Sequence, residues 1–526
     1  MRGMSSLPET LPDDITALKA MVAEQAALNA ALAQENAQKS ARIISLQEQL
    51  NLALARRYAA SSEKLSPDQI RLFNEAEADA LVAAEDDAPE AAVEVPAHTR
   101  KKRGRKPLPD TLPRVEVVHE IPEDQRHCPH DGQVLAEINQ VVSEQLDIIP
   151  AQIRVIRHIR KQYACACGQC IQTAPLPGQP IPKSMASPGL LAHIAVCKYQ
   201  DALPLYRQEQ ILQRIGVDIP RATLASWMIR CGQLVQPLIN LLRDRLLAYD
   251  IVQMDETTVQ VLKEPGKTAQ SKSYLWLQRG GPPDEPVILF DYDPTRCQTV
   301  PKALLEGFAG YLQADGYSGY NGVVAEGGLV QVGCMAHARR KFSEAVKGQG
   351  KNPRQGKAHQ GLAWIQKLYR IEKQARTQQL SPPARKAHRE QHAAPVLAKM
   401  RSWLDASIPN VPPGTLTGKA LNYLHNEWPK LIRYLEDGRL EIDNNLAENA
   451  IRPFVIGRKN WLFSDSVQGV KASANLYSLV ESAKANGLEP YQYLREVFTA
   501  LPQAEKVEDI ENLLPWAVKK ISAATR

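Results

Sequence analysis

Asp255 stands at the end of Ile251-Val252-Gln253-Met254, an apolar run of strand character in which propensity disfavours an acid. The same oddity recurs 60 residues on, where Tyr311-Leu312-Gln313-Ala314 closes on Asp315. A third acid, Glu448, falls in the second turn of a helix that opens at Glu441-Ile442-Asp443-Asn444-Asn445. Any one of these could be a solvated strand-end or helix acid; three of them in this order suit one job. Hard divalent cations are held by oxygen ligands. Two Mg²⁺ or Mn²⁺ ions about 4 Å apart make an attacking water or hydroxyl potent at neutral pH and neutralise the leaving oxygen of a phosphodiester. Asp255, Asp315 and Glu448 are therefore the candidate catalytic and metal-binding residues. Glu256 should point to the opposite side of its strand and is the poorer ligand. Asp443 is a rival for the third position, but its place before Asn444 and Asn445 suits a helix cap. Arg452, four residues after Glu448 on the same helix face, is placed to orient it or to reach a phosphate.

These acids need a frame. Strands are predicted at Tyr274 to Gln278 and Val287 to Phe290, a helix over Val300 to Phe308, the strand closing on Asp315, and another strand over Leu329 to Cys334. His337-Ala338-Arg339-Arg340-Lys341-Phe342 follows, its cations candidate DNA contacts. Three strands, a helix, a strand, a helix and a strand make a ribonuclease-H-like sheet, in which the ends of the first and fourth strands are neighbours. The catalytic core then occupies residues 248–345 and 439–500, with a helical, cation-rich insertion at 346–438 and a helical tail at 501–526. Past the Glu helix, Arg458-Lys459-Asn460-Trp461-Leu462-Phe463 interleaves cations with aromatics, a pattern that grips phosphate while a ring stacks on a base. A buried Trp461 anchoring the helix is the alternative.

Upstream, residues 1–73 read as a coiled coil. Spacing by sevens places Leu18, Gln25, Leu32, Lys39 and Leu46 on one row and Val22, Asn29, Asn36, Ile43 and Leu50 on its companion, a seam that pairs two copies or more. A lone amphipathic helix packed on its own protein is the alternative. Residues 74–110 combine an acidic linker with Arg100-Lys101-Lys102-Arg103-Gly104-Arg105-Lys106-Pro107. In that segment Arg103, Arg105 and Lys106 resemble a minor-groove hook. Residues 111–180 read as a zinc-ribbon-like β module. Cys128 and His130 or Asp131 form a first knuckle, and two of Cys165, Cys167 and Cys170, about 37 residues on, form the second. Thiols without metal are the alternative. Residues 181–247 are helical, and Leu205 to Arg214, a Gly216 turn and a helix from Arg221 suggest helix-turn-helix, with Arg221, Thr223 and Ser226 facing a groove. A plain helical hairpin is the alternative.

The bulk properties agree with a multidomain α/β protein that handles DNA. A chain of 526 residues is too long for a single core, and its +6 net charge is modest. Eight cysteines are too few for a disulfide scaffold of this length. Neither a signal-peptide core nor about 18 uninterrupted apolar residues occurs, so a soluble, cytoplasmic protein is expected, with no membrane partner.

At several of these residues the chain resembles a known family. Asp255-Glu-Thr-Thr-Val-Gln-Val-Leu262, Leu312-Gln-Ala-Asp315, Cys334-Met-Ala-His337-Ala-Arg-Arg-Lys-Phe342, Asp443-Asn-Asn-Leu-Ala-Glu448-Asn-Ala-Ile-Arg-Pro453 and Gly457-Arg-Lys-Asn-Trp-Leu-Phe463 are similar to the insertion-sequence-sixty-six family of bacterial transposases. The likeness runs over nearly the whole chain. It implies a bacterial, nucleoid-associated, acidic-triad enzyme that binds terminal inverted repeats, cuts element ends and joins their 3′ hydroxyls to target DNA, with accessory proteins encoded beside it. The family's triad carries over to Asp255, Asp315 and Glu448. Two departures stand out: Asn449 replaces the Arg usual after the Glu, and the first knuckle reads Cys-Pro-His-Asp instead of Cys-x-x-Cys. The first bears on a phosphate contact, the second on zinc occupancy. A catalytically lapsed DNA-binding regulator and a ribonuclease-H-like nuclease without strand joining remain the competing expectations.

Overall fold

The computed structural model describes residues 14–58, 153–164, 171–173, 178–349 and 356–524. The chain divides into two units, residues 87–176 and residues 1–86 with 177–526. In the first, an exposed extended run, 153–161, leads into an antiparallel hairpin of β1 (Gln162–Ala164) and β2 (Ile171–Thr173). The expected hook residues Arg103, Arg105 and Lys106 and the expected zinc ligands Cys128, His130, Cys165, Cys167 and Cys170 lie outside the described residues.

The larger unit begins with α1 (Ile15–Tyr58), a helix of 44 residues. Its predicted seam is open, with Val22, Leu32, Ile43, Leu46 and Leu50 all exposed. Another side of its C-terminal half docks on the same chain. Ser45 Oγ donates to the Gly414 carbonyl at 2.9 Å, Asn51 Nδ2 donates to that of Gly348 at 3.0 Å, and Glu48 accepts the Leu416 N–H at 2.7 Å. The expectation of packing on its own protein thus holds for one face of this helix, and the row predicted for pairing lies on another.

A helical block follows: α2 (Pro188–Tyr199), α3 (Leu205–Arg214), α4 (Arg221–Leu234) and α5 (Gln236–Ala248). Ser187 caps α2 by accepting the Leu190 N–H, with Pro188 in the first turn. The turn between α3 and α4 passes through Gly216 at φ +82°, a conformation that glycine adopts without strain. α4 buries Leu224, Trp227, Met228 and Cys231, leaving Arg221 and Ser226 exposed and Thr223 half-buried.

The sheet is built around β3 (Ile251–Lys263). β4 (Lys272–Gly280) and β5 (Val287–Asp293) extend it antiparallel on one side. On the other side, after α6 (Thr299–Leu304), β6 (Tyr311–Gln313) lies parallel to β3; after α7 (Asn321–Gly327), β7 (Val330–Val332) lies parallel to β6. The order is β5-β4-β3-β6-β7. Val252, Met254, Leu275, Leu277, Leu289 and Leu312 are fully buried, as strands covered on both faces require. One expectation needs correcting: Asp255 lies inside β3, not at its end. β3 pairs with β4 as far as Gln260 but with β6 only as far as Gln253, so the strand outruns its parallel neighbour.

α8 (Met335–Gly348) leads into the predicted helical insertion, α9 (Lys357–Thr377), α10 (Pro382–Ser407) and α11 (Leu416–Leu431). These helices form their own core, including Phe342, Ile365, Leu397, Met400, Leu404 and Leu424. The chain returns through α12 (Asn445–Trp461), adds β8 (Ser464–Ser466) beside the far end of β3, and continues into α13 (Val467–Ala485) and α14 (Pro490–Ala500). Both margins of the sheet are covered. Ser482 Oγ and Ser478 Oγ accept the β5 N–H groups of Ile288 and Phe290 at 2.9 and 2.8 Å. Past β7, the Gly333 N–H donates to the Lys430 carbonyl at 3.0 Å, and Arg433 donates to that of Gln331 at 3.1 Å.

The insertion is pinned to the segment before α12 by buried charge. Arg389, 0% exposed, donates to both Glu372 carboxylate oxygens at 2.8 Å and to the carbonyls of Tyr434 and Leu440 at 2.7 and 2.8 Å. Arg385 bridges Glu372 and Glu441 at 2.8 Å each. Arg389→Ala leaves the buried Glu372 with Arg385 alone and the Tyr434 and Leu440 carbonyls unmatched, and should cost about 3–5 kcal/mol in denaturant unfolding. A loss below about 1 kcal/mol would show the network to be incidental.

Candidate active site

The two aspartates are aligned by strand register. Gly310, at φ +144°, lets the start of β6 press against β3: a Cβ there would lie 2.3 Å from the Asp250 carbonyl, which instead accepts the Tyr311 N–H at 2.8 Å. From this start, Gln253 pairs with Gln313, so Asp255 and Asp315 each follow two residues later on adjacent chains. Neighbouring strands are about 4.8 Å apart. The register is locked by side chains as well. Arg279 donates to Gln253 at 3.0 Å, Gln253 to Gln313 at 2.9 Å, and Gln313 to the Glu441 carbonyl at 2.7 Å.

Glu448 arrives on α12, whose start is tied to the same place. Asn444 Nδ2 donates to the Met254 carbonyl at 2.8 Å, next to Asp255, and the Asn444 N–H points at Cys334 Sγ at 3.2 Å. Glu448 falls in the first helical turn, one turn earlier than predicted, because the helix begins at Asn445. It is 7% exposed. The facing α8 approaches both of its oxygens: His337 Nδ1 is 3.7 Å from Oε1, and Arg340 Nη2 is 3.7 Å from Oε2. The rival acid, Asp443, accepts the Asn445 N–H at 3.1 Å and the Tyr369 hydroxyl at 2.8 Å. It fixes the approach to the helix one residue before the cap position, and burial pushes its carboxyl up to about 6.

Asp255 lies within electrostatic reach of both Asp315 and Glu448. Burial, then the charges of Glu448, Glu256 and Asp315, hold the Asp255 carboxyl well above the usual carboxylate range. Glu256 is occupied elsewhere. It accepts Arg296 Nε and the Tyr320 hydroxyl, each at 2.7 Å. Burial and Asp315 raise its carboxyl, while those two donors oppose the shift.

The matches to known proteins bear on this geometry. Residues 183–472 match the model described as "Transposase IS66 family", and residues 478–516 match "IS66 C-terminal element". Residues 45–117 match "Transposase C of IS166 homeodomain", and residues 125–168 match "zinc-finger binding domain of transposase IS66". The chain belongs to the IS66 family of transposases. Two relatives come from Sinorhizobium fredii (strain NBRC 101917 / NGR234). The uncharacterized protein y4jD is 34% identical over 461 residues, covering 83% of this chain and 86% of y4jD. The uncharacterized protein y4qI is 32% identical over 540 residues, covering 97% and 98%.

Several of the transposase's predicted DNA contacts are engaged within the fold. Arg458 donates to Thr257 Oγ1 at 3.2 Å, Thr258 Oγ1 at 3.1 Å and the Thr258 carbonyl, tying α12 to β3. Trp461 packs edge-on to Phe454, ring centroids 5.4 Å apart, with Lys198 5.3 Å from its ring centroid. That is the anchoring alternative; the exposed apolar side chains of this stretch are Leu462 and Phe463. Arg339, Arg340, Arg452 and Lys459 are half-buried, and the half-buried Lys341 lies 4.8 Å from the centre of the Tyr423 ring. Arg221 and Thr223 sit in the first turn of α4.

His337 and Cys334 were missed as neighbours of Glu448. Their signal was the spacing Cys334-x-x-His337-x-x-Arg340 at a helix start, which places all three on one side of α8. Removing Arg296 tests the separate role of Glu256. Arg296→Ala should lower stability by about 2 kcal/mol at pH 8, less than the 3–5 of a fully buried pair because Arg296 is partly solvated. A carboxyl with a raised pKa is costly only when ionised, so the deficit should shrink as pH falls from about 8 to 5 and Glu256 protonates. Thermal unfolding across that range would expose the error if the deficit grew.

Proposed function

We propose that this transposase cleaves the ends of a bacterial insertion sequence and joins their 3′ hydroxyls to target DNA. Asp255, Asp315 and Glu448 are its catalytic acids. The observation that carries this reading is the convergence of three carboxyl groups from β3, the end of β6 and the start of α12. The strand order, with the first three strands antiparallel and the last two parallel to β3, supports a ribonuclease-H-like core split as 248–345 and 439–500 around an insertion at 346–438. The remaining assignments are a coiled coil at 1–73, a linker and basic hook at 74–110, a zinc-ribbon-like module at 111–180, a helix-turn-helix-like module at 181–247 and a tail at 501–526.

The residues fit divalent cations. Asp255 is repelled by both other carboxyl groups, and the buried Glu448 Oε1 has no hydrogen bond. An all-oxygen set of acids suits two Mg²⁺ or Mn²⁺ ions. Asp255, Asp315 and Glu448 would hold them; when bound, such ions sharpen an attacking oxygen and neutralise a leaving one. The protein's own share is positional. β3 and β6 set the two aspartates side by side, α8 steadies Glu448 through His337 and Arg340, and Arg296 with Tyr320 holds Glu256 by hydrogen bonds. Arg339, Lys341, Arg452 and Lys459 are assigned to phosphate contacts, and Arg221 and Thr223 to a DNA groove. Zinc is assigned to the module containing Cys128, His130, Cys165, Cys167 and Cys170. Two copies pair through the open seam of α1, and accessory proteins of the same element complete the machinery.

Asp255→Asn and Glu448→Gln should each reduce Mg²⁺-dependent end cleavage and joining by at least about a thousandfold, as losses of groups acting as a unit do. Binding to terminal repeats should persist. Joining at normal rates by either protein would remove the triad, and cleavage without a strand-transfer product on supercoiled plasmid would leave a nuclease. For the pairing, Leu32→Glu with Ile43→Glu should halve the mass found by sedimentation; an unchanged mass would place the dimer contact elsewhere.

A further inference from the structure

Beside the carboxylate cluster lies a group of different chemistry. Cys334 caps the N-terminus of α8, His337 is in its first turn, and Glu448 faces both from α12. A thiol sulfur, an imidazole nitrogen and a carboxylate oxygen from these residues lie within 4.8 Å of one another. Cys334 and Glu448 are buried, and His337 is half-buried. Two of the three ligand atoms, His337 Nδ1 and Glu448 Oε1, are buried without a hydrogen bond. Buried polar atoms are ordinarily matched, so a pair left unmatched on facing helices calls for a partner. Cys334 Sγ accepts weak backbone contacts from Asn444 and His337, the kind of interaction that orients a metal ligand from outside.

We propose that Cys334, His337 and Glu448 form a second cation site, selective for a borderline-soft divalent ion of the Zn²⁺ class. The donor set decides the class of ion. Sulfur with nitrogen and one carboxylate is a zinc-type set with three protein ligands, leaving a fourth tetrahedral position open, whereas Mg²⁺ takes oxygen alone. The site is distinct from the zinc-ribbon module, whose cysteines are separate residues. It shares Glu448 with the proposed triad and in that respect rests on that reading. Because Glu448 Oε1 serves the softer ion, Zn²⁺ here withdraws one acid from the Mg²⁺ cluster, and the two ions antagonise each other through one side chain. Binding displaces the Cys334 thiol proton into solvent, since the thiolate is the ligand.

The test is a Co²⁺ titration of the full-length protein, following the near-ultraviolet charge-transfer absorbance of a thiolate–Co²⁺ bond. The cysteines of the other module absorb equally in the wild type and in Cys334→Ser, so their contribution drops out of the difference. The expected difference saturates at one Co²⁺ per chain and is erased by Zn²⁺ but not by Mg²⁺. His337→Ala should move the midpoint to about tenfold more Co²⁺ or beyond, with an unchanged far-ultraviolet spectrum showing that the variant is folded. Asp255→Asn should keep the band while losing Mg²⁺-dependent cleavage. A flat difference spectrum, or a His337→Ala midpoint equal to that of the wild type, overturns the site. If the spectrum is flat while Asp255→Asn still abolishes cleavage, the triad stands without it. If the band appears but Asp255→Asn cleaves normally, the soft site stands and the triad falls.

Discussion

A short relay of amide hydrogen bonds under the carboxylates governs the arrangement above it. Arg279, Gln253, Gln313 and the Glu441 carbonyl form an unbroken line from β4 across β3 and β6 to the lead into α12. Gln253 and Gln313 are buried, so each amide left unmatched would cost about 1–3 kcal/mol. A slip of one residue between β3 and β6 would break the line and turn alternate side chains to the other face. The same bonds that satisfy buried amides therefore set Asp255 level with Asp315. They also hold the stretch from which Glu448 departs.

The insertion takes part in this geometry from a distance. Arg389 and Arg385 clamp the segment from Tyr434 to Glu441, and the Tyr369 hydroxyl holds Asp443 two residues before α12 begins. All three come from helices more than fifty residues upstream of Glu448 in sequence. Burying full charges is costly, and such a network gives little net stability compared with an apolar core of the same shape. What it gives here is placement: the chain leaves the insertion in one conformation and enters α12 at one angle. The helical insertion is thus a brace for the third acid as well as a separate packed body.

Much of this was legible beforehand, for reasons of local chemistry. An Asp after Ile251-Val252-Gln253-Met254 violates strand propensity, and a chain tolerates such a violation only where something needs it. The element order around Asp315 followed from alternating apolar runs, and the insertion from helical periodicity. What stayed hidden depends on partners distant in sequence. Nothing local distinguishes Arg458, bound to Thr257 and Thr258, from an arginine reaching for phosphate. Trp461 likewise could not be assigned until Phe454 and Lys198 closed around it. The full length of β3 was missed because its second half is held by β4 and β8, and polar residues such as Thr257 and Gln260 concealed it. His337 and Arg340 carried a readable spacing, but the acid they face lies more than a hundred residues away.

The covered sheet margins have a consequence for how this molecule meets others. The serine hydroxyls of α13 occupy the outer amides of β5, and the end of α11 with Arg433 shields the rim beyond β7. At these two margins another polypeptide therefore finds its place on the hydrogen-bond ladder taken, and that place is the usual opening for cross-chain β pairing and fibrous growth. Covered margins of this kind keep a large protein from zippering into an aggregate through the edges of its central sheet.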